Sequence, residues 1–237
     1  MKINTVYNED CLTLMKKLPD NYFDLIITDP PYGINICSNG KISGDKPFGS
    51  KKSTIGGDNL AKAKDYGVQE WDKSIPSEEI FKEMLRVSKN QIIFGGNYMT
   101  KFLHSSSCWI VWDKDNSGNF ADCELAWTSF NTAVRKFKHR WNGMLQEQMN
   151  WKEKRFHPTQ KPIPLGRWIL KNYANKGDKI FDPFSGSGSF LIACKQLGFN
   201  FNGCEIQKEY CKVINERLSQ RTLLSLAEQQ TQLNKIV

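Results

Sequence analysis

Four residues, Asp29-Pro30-Pro31-Tyr32, close an apolar run, Phe23-Asp24-Leu25-Ile26-Ile27-Thr28. The run is short and β-branched, the composition of a buried strand. A carboxylate and an aromatic ring therefore stand at the carboxyl end of a strand, the edge at which open α/β sheets bind ligands. Two prolines fix φ at about −65° and withdraw two backbone donors. The carbonyls beside them stay outside the strand ladder and can accept hydrogen bonds from a guest. Read alone, the same four residues are equally a strand-terminating turn, because Asp and Pro both favour turns.

A second constellation lies about 150 residues further on. Lys179-Ile180-Phe181 reads as a strand, and Asp182-Pro183-Phe184-Ser185-Gly186-Ser187-Gly188-Ser189 follows it as a glycine-rich loop. Residues 190–197 read as an apolar helix and 199–204 as a strand that ends at Glu205, 21 residues after Phe184. Strand, glycine loop, helix, strand and acid is the pattern of a nucleotide-type cofactor site. The glycines let backbone approach the ligand, and the acid takes ribose hydroxyls. Gly-Ser-Gly-Ser by itself also suits a flexible linker, but the flanking strand and helix argue against that. Leu191 stands where a dinucleotide fingerprint has its third glycine, which disfavours a pyrophosphate and with it a nicotinamide oxidoreductase. Asp10, after a strand-like segment at residues 3–7, either caps a helix expected over residues 11–18 or accepts a hydrogen bond from a ligand at that strand end.

The elements that must position these groups alternate between strand and helix. Further strands are expected at 91–94, 108–112 and 123–130, and helices at 76–87, 164–173 and 210–218. Between 36 and 74, Gly, Ser and Lys dominate and no period is visible, so a mobile loop insertion beside the site is expected. Residues 131–156 hold the densest basic-aromatic cluster, Arg135-Lys136-Phe137-Lys138-His139-Arg140-Trp141. Cations there would meet phosphates while rings stack on bases; an exposed strand with snorkelling stems is the plainer alternative. Residues 219–237 form a Gln-rich tail expected to be helical.

The 237 residues carry a formal net charge of +8, which suits a polyanionic partner. Seven cysteines, an odd number without zinc-type spacing, point to a reducing compartment and to no metal. No apolar run is long enough to span a bilayer, so no membrane partner is expected.

With His157-Pro158-Thr159-Gln160-Lys161-Pro162 between them, the two constellations resemble the signatures of amino-group DNA methyltransferases, the adenine-N6/cytosine-N4 family. The order, catalytic motif first and glycine motif last, is similar to the family's β (permuted) class. The resemblance covers about residues 3–218. It implies one methyltransferase domain over 1–237 with an α/β, Rossmann-like fold. Its sheet would have seven mostly parallel strands in the order 3-2-1-4-5-7-6, one of them antiparallel. It further implies S-adenosylmethionine as cofactor and double-stranded DNA as substrate, with a second copy of the chain and a cognate restriction endonuclease as further partners. The implied setting is the cytoplasm of a prokaryotic or phage-type system, close to the nucleoid. By motif match, Asp29, Pro30, Pro31 and Tyr32 hold the target base. Phe184, Gly186 and Gly188 border the cofactor, Asp182 helps hold its ammonium, and Thr159 and Lys161 grip its carboxylate. Glu205 takes the ribose, Ile206 packs on the adenine and Asp10 lies nearby. Lys51, Lys52, Arg135, Lys136, Lys138 and Arg140 are the expected DNA contacts. Asp rather than Ser at position 29 favours adenine over cytosine. A methyltransferase of RNA or protein glutamine, and a non-catalytic nucleic-acid binder, are the other readings.

Overall fold

The computed structural model describes residues 1–35, 71–115, 121–142 and 145–220. Most of the 36–74 loop, with Lys51 and Lys52, and the tail beyond Gln220 lie outside the described residues.

Among the described residues, ten strands and five α-helices follow in order. They are β1 (Thr5–Tyr7), α1 (Cys11–Met15), β2 (Phe23–Thr28), α2 (Glu78–Val87), β3 (Ser88–Phe94), β4 (Trp109–Asp113) and β5 (Cys123–Thr128), then β6 (Arg135–Lys138), β7 (Trp141–Asn142), β8 (Leu145–Gln146), α3 (Ile163–Tyr173), β9 (Lys179–Asp182), α4 (Ser189–Leu197), β10 (Asn200–Cys204) and α5 (Lys208–Ser219). Eight strands form one sheet, ordered β1-β10-β9-β2-β3-β5-β4-β6, and β7 and β8 pair separately. Counted from the glycine-loop strand β9, the first seven stand in the expected order 3-2-1-4-5-7-6. β5 runs antiparallel to both its neighbours, and the other ladders of this sheet are parallel.

The eighth strand is a correction. The basic segment Arg135–Lys138 adds to the sheet edge, parallel to β4. Its cations face solvent because an edge strand exposes one side. Its aromatic neighbours do not: Trp141 is buried with its indole N–H donating to the Gln160 carbonyl at 3.0 Å, and Phe137 packs 5.4 Å from the Trp168 ring. These two rings serve the core rather than lying open for bases to stack on.

β2 is central because five of its six residues are buried, the pattern of a strand covered on both faces. On one face Leu25, Ile27, Ile92 and Ile180 pack with α3 and α4 residues such as Leu165, Ile169 and Phe190. On the other, Phe23, Ile26 and Ile93 pack with Met15 of α1 and Phe81 and Met84 of α2. α1 is shorter than expected: the N–H groups of Lys17 and Leu18 bond three residues back, to Leu14 and Met15, in a tightened final turn. Among the described residues no helix is long and apolar enough to cross a membrane.

Candidate active site

β2 lies between β9 and β3 in the sheet, so the chain reverses its direction of build there and a crevice opens at the strands' carboxyl ends. Thr28, the last residue of β2, donates its hydroxyl to Asp182 Oδ1 at 2.8 Å across 154 residues of sequence. Asp29 and the glycine loop therefore open onto one cavity of about 1480 Å³. Asp29, Pro30, Pro31, Tyr32, Asp10, Phe184 and Gly186 line it, as do Thr159, Lys161, Asp182, Glu205 and Ile206.

The turn after β2 is fixed from outside. Asp72, 2% exposed, accepts the N–H groups of Tyr32 and Gly33 at 2.9 Å each. The Tyr32 ring stacks on Tyr98 at 5.1 Å and lies against Gly95, where a Cβ would come within 2.1 Å of it. Gly95 also has φ +68°, a conformation that only glycine adopts freely.

Asp29 has both carboxylate oxygens engaged. Oδ1 accepts the Tyr32 hydroxyl at 2.7 Å, and Oδ2 pairs with the Lys161 ammonium. Glu124, near the start of β5, completes the cluster: its Oε2 lies 3.1 Å from Lys161 Nζ and 3.4 Å from the Tyr32 hydroxyl, and its Oε1 pairs with Lys114. Two carboxylates and two ammoniums thus balance in a buried site. Burial raises the Asp29 pKa, and the nearby Glu124 charge adds to that against the pull of Lys161. Burial would raise Glu124 too, but Lys161 and Lys114 override it and hold it at about 2. Burial opposes charge on Lys161, yet the two carboxylates keep its pKa above the ordinary value. Tyr32 is pushed well up by burial and by both carboxylates, so it is held as a neutral donor.

In the glycine loop, Gly186 and Gly188 adopt φ +51° and +79°. The Gly186 N–H donates to Glu205 Oε2 at 2.8 Å, and the Gln207 N–H to Oε1 at 2.8 Å. Burial raises the Glu205 pKa despite these donors. Asp182 accepts from Thr28 and from the Phe184 N–H (3.2 Å), both at Oδ1, and burial lifts its pKa to about 7. Ser189 Oγ, buried at the first residue of α4 and on the cavity wall, has no hydrogen-bond partner among the described residues. His157 lies near Gly186 between Trp71 (5.1 Å) and Tyr210 (4.6 Å); burial and the Lys161 charge lower its pKa to about 3, so it stays neutral.

Several expected residues have other partners. Asp10 caps α1, accepting from the Thr13 N–H at 2.9 Å, while also lining the cavity. Thr159 and Lys161, expected to act together, diverge: the Thr159 hydroxyl meets His157 Nδ1 at 3.2 Å, whereas Lys161 reaches Asp29. Gly188 is turned from the cavity towards α5, where a Cβ would meet Ile214 at 2.8 Å. Arg135, Lys136, Lys138 and Arg140 lie outside the cavity, and three of them pair with acids at or just beyond the end of β4: Lys136 with Asp113 at 3.4 Å, Lys138 with Asp115 at 2.8 Å and Arg140 with Asp115. Ile206 is 67% exposed. Sequence reasoning missed Glu124, Lys114, Asp72 and Tyr98. Glu124 left one signal, a charge inside the otherwise apolar strand Cys123-Glu124-Leu125-Ala126-Trp127.

The comparisons with known proteins agree with this geometry. A family model described as DNA methylase matches residues 114–216. The chain is 28% identical to the Type II methyltransferase M2.DpnII of Streptococcus pneumoniae, over 89% of this chain and 88% of that one. It is 27% identical to the Type II methyltransferase M.HinfI of Haemophilus influenzae, over 91% and 68%. Among solved structures, the M1.HpyAVI–SAM complex aligns with a TM-score of 0.53 at 23% identity, over 90% of this chain and 98% of that one. The cytosine-N4-specific PvuII DNA methyltransferase aligns with a TM-score of 0.59 at 10% identity, over 94% and 90%. The strand order, the paired motifs at one crevice and these matches all show a likeness to amino-group DNA methyltransferases.

Proposed function

We propose that this protein transfers the methyl group of S-adenosylmethionine to the exocyclic amine of a base in duplex DNA, adenine N6 foremost. The observation that carries the reading is the meeting of Asp29 and the glycine loop at adjacent strand ends in one cavity.

The residues fit such a cofactor. Asp182 presents a buried carboxylate whose two side-chain hydrogen bonds both fall on Oδ1, which suits an ammonium. Glu205 suits vicinal hydroxyls, Ile206 offers an exposed apolar face, and the orphaned Ser189 hydroxyl at the head of α4 suits a polar ligand. When bound, S-adenosylmethionine supplies an electrophilic methyl group on a positively charged sulfur.

An aromatic amine is a weak nucleophile because its lone pair is delocalised into the ring. Asp29 accepts one amine hydrogen and the Pro30 carbonyl the other. The two acceptors draw the nitrogen towards tetrahedral geometry and free its lone pair. Orientation and fixed charge then supply the rate. The base has to leave the duplex stack to reach Asp29, and the Tyr32 ring offers it a stacking surface. Arg135, Lys136, Lys138 and Arg140 form the proposed phosphate-binding edge, with Lys51 and Lys52 as further candidates. Asp at position 29 supports adenine; cytosine N4 is the second reading, since the same acceptors would take its amine.

Single-molecule sequencing of DNA from cells expressing the chain, with mass spectrometry of its nucleosides, tests this directly. N6-methyladenine in a fixed context is expected, and none with Asp29→Ala. N4-methylcytosine would transfer the reading to the alternative; DNA that stays unmodified, or modification that survives Asp29→Ala, would overturn it.

A further inference from the structure

We propose that Glu124 is a positioning residue that takes over the Lys161 ammonium and the Tyr32 hydroxyl when a target amine arrives at Asp29. The inference rests on the methyltransferase reading above and deepens it. In this structure Asp29 is already neutralised: Tyr32 donates to Oδ1 and Lys161 pairs with Oδ2. Each oxygen keeps a second lone pair for an amine hydrogen, but the ammonium cancels the charge that would polarise the amine. Lys161 has to turn away for Asp29 to act at full strength.

Lys161 has few places to go. Its side chain is 4% exposed and lies 5.5 Å from the ring centres of both Tyr32 and Phe94. Releasing an ammonium unpaired into such surroundings is strongly unfavourable. Glu124 removes that cost, because its Oε2 is already 3.1 Å from the ammonium and 3.4 Å from the Tyr32 hydroxyl. Transfer of both donors from Asp29 to Glu124 is a small movement between two carboxylates, and the hydrogens of the arriving amine then meet the carboxylate they leave. Lys114, paired with the other Glu124 oxygen, keeps Glu124 ionised and its Oε2 turned towards the exchange. Glu124 stands on β5, which neighbours β3, so it is fixed by a different part of the sheet from the Asp29 turn and can hold the donors while that turn receives the base.

The test is single-turnover methyl transfer at saturating S-adenosylmethionine and DNA, with affinities measured separately by calorimetry and fluorescence anisotropy. Glu124→Gln removes the charge that draws Lys161 away. Its transfer rate is expected to fall on the order of 10²-fold, while the Kd values for cofactor and DNA stay within about threefold of the original. Adding Lys161→Gln removes the clamp itself, so the double variant is expected to be faster than Glu124→Gln alone by about tenfold. Glu124→Asp, which keeps the charge, is expected to remain within about fivefold of the original rate. It carries the test if Glu124→Gln does not fold. A Glu124→Gln rate close to that of the original protein overturns the proposal. So does a double variant no faster than Glu124→Gln, or a Glu124→Asp rate as low as that expected of Glu124→Gln. Failure of the unsubstituted protein to methylate DNA would instead sink the functional reading, so the two failures are separable.

Discussion

Asp182 shows how one buried carboxyl prepares the site. Burial raises its pKa from 3.8 to about 7, with only the Thr28 hydroxyl and the Phe184 N–H opposing the shift. The native state therefore binds a proton that the unfolded chain has released between about pH 4 and 7, and linkage makes stability fall as pH rises through that window. The loss is complete above pH 7 and absent below pH 4. Asp182→Asn keeps the oxygen that accepts from Thr28 and Phe184 but cannot ionise. Urea denaturation of the ligand-free protein at pH 5 and pH 8 is expected to show the variant gaining on the original by a few kcal/mol at the higher pH. An equal difference at both pH values would mean that Asp182 does not titrate there. Gly95 makes a separate point at this scale: it is glycine because Tyr32 occupies the space of its side chain.

At the scale of elements, β6 and α5 each do something their sequences only half announce. β6 puts Lys136 and Lys138 on the sheet edge, with Arg140 just beyond it, each paired with Asp113 or Asp115. Exposed pairs of this kind are worth about 0–1 kcal/mol, so a phosphate can replace the carboxylate at little cost. Arg135→Ala and Lys138→Ala are each expected to reduce the slope of log affinity against log salt by about 0.9 in DNA-binding titrations; unchanged slopes would move the DNA-binding face elsewhere. The end of α5 acts inward. Arg217, 7% exposed, donates to the Ser187 carbonyl and to Glu153 Oε1, and Glu153 in turn accepts from Gln160 and from the Ile163 N–H. The glycine loop, the 157–161 segment and the start of α3 are thereby tied to one buried ion pair. Burial raises the Glu153 pKa and lowers that of Arg217, and their mutual attraction offsets only part of either shift, the pattern of an ion pair whose desolvation outweighs its Coulomb gain.

For the whole molecule, the permuted order has a physical consequence. β2, which ends at Asp29, and β9, which leads into the glycine loop, are far apart in the chain, yet they are paired neighbours. A ligand that bridges their ends stabilises contacts across the sheet. S-adenosylmethionine at about 100 times its Kd is expected to add about 2.7 kcal/mol, a rise in Tm of about 5–10 °C for a chain of this size. NAD at the same concentration is expected to leave Tm unchanged, and a shift with NAD but not with S-adenosylmethionine would revive the oxidoreductase reading. Much of this arrangement was legible beforehand. Asp29 and the glycine loop each follow a strand within a few residues, and Glu205 ends the next one, so local spacing placed them at one edge of the sheet. The length of α1 was not legible, since its last turn tightens through backbone bonds that no side chain announces.

By itself the sequence determined what depends on short-range order: the strands, the turn with two prolines, the glycine loop and the acid 21 residues after Phe184. The resemblance of these motifs to the methyltransferase signatures implied the order of the sheet. Only the tertiary structure decided which charges meet. Lys161, expected beside Thr159, reaches Asp29 instead, and Glu124 and Lys114 arrive from β5 and the end of β4 to share the load. Buried charges have to be paired, and which partner is near enough is set by packing between elements far apart in sequence. The feature that most shapes the proposed chemistry at Asp29, a carboxylate with both oxygens already claimed, is therefore one that no local pattern carries.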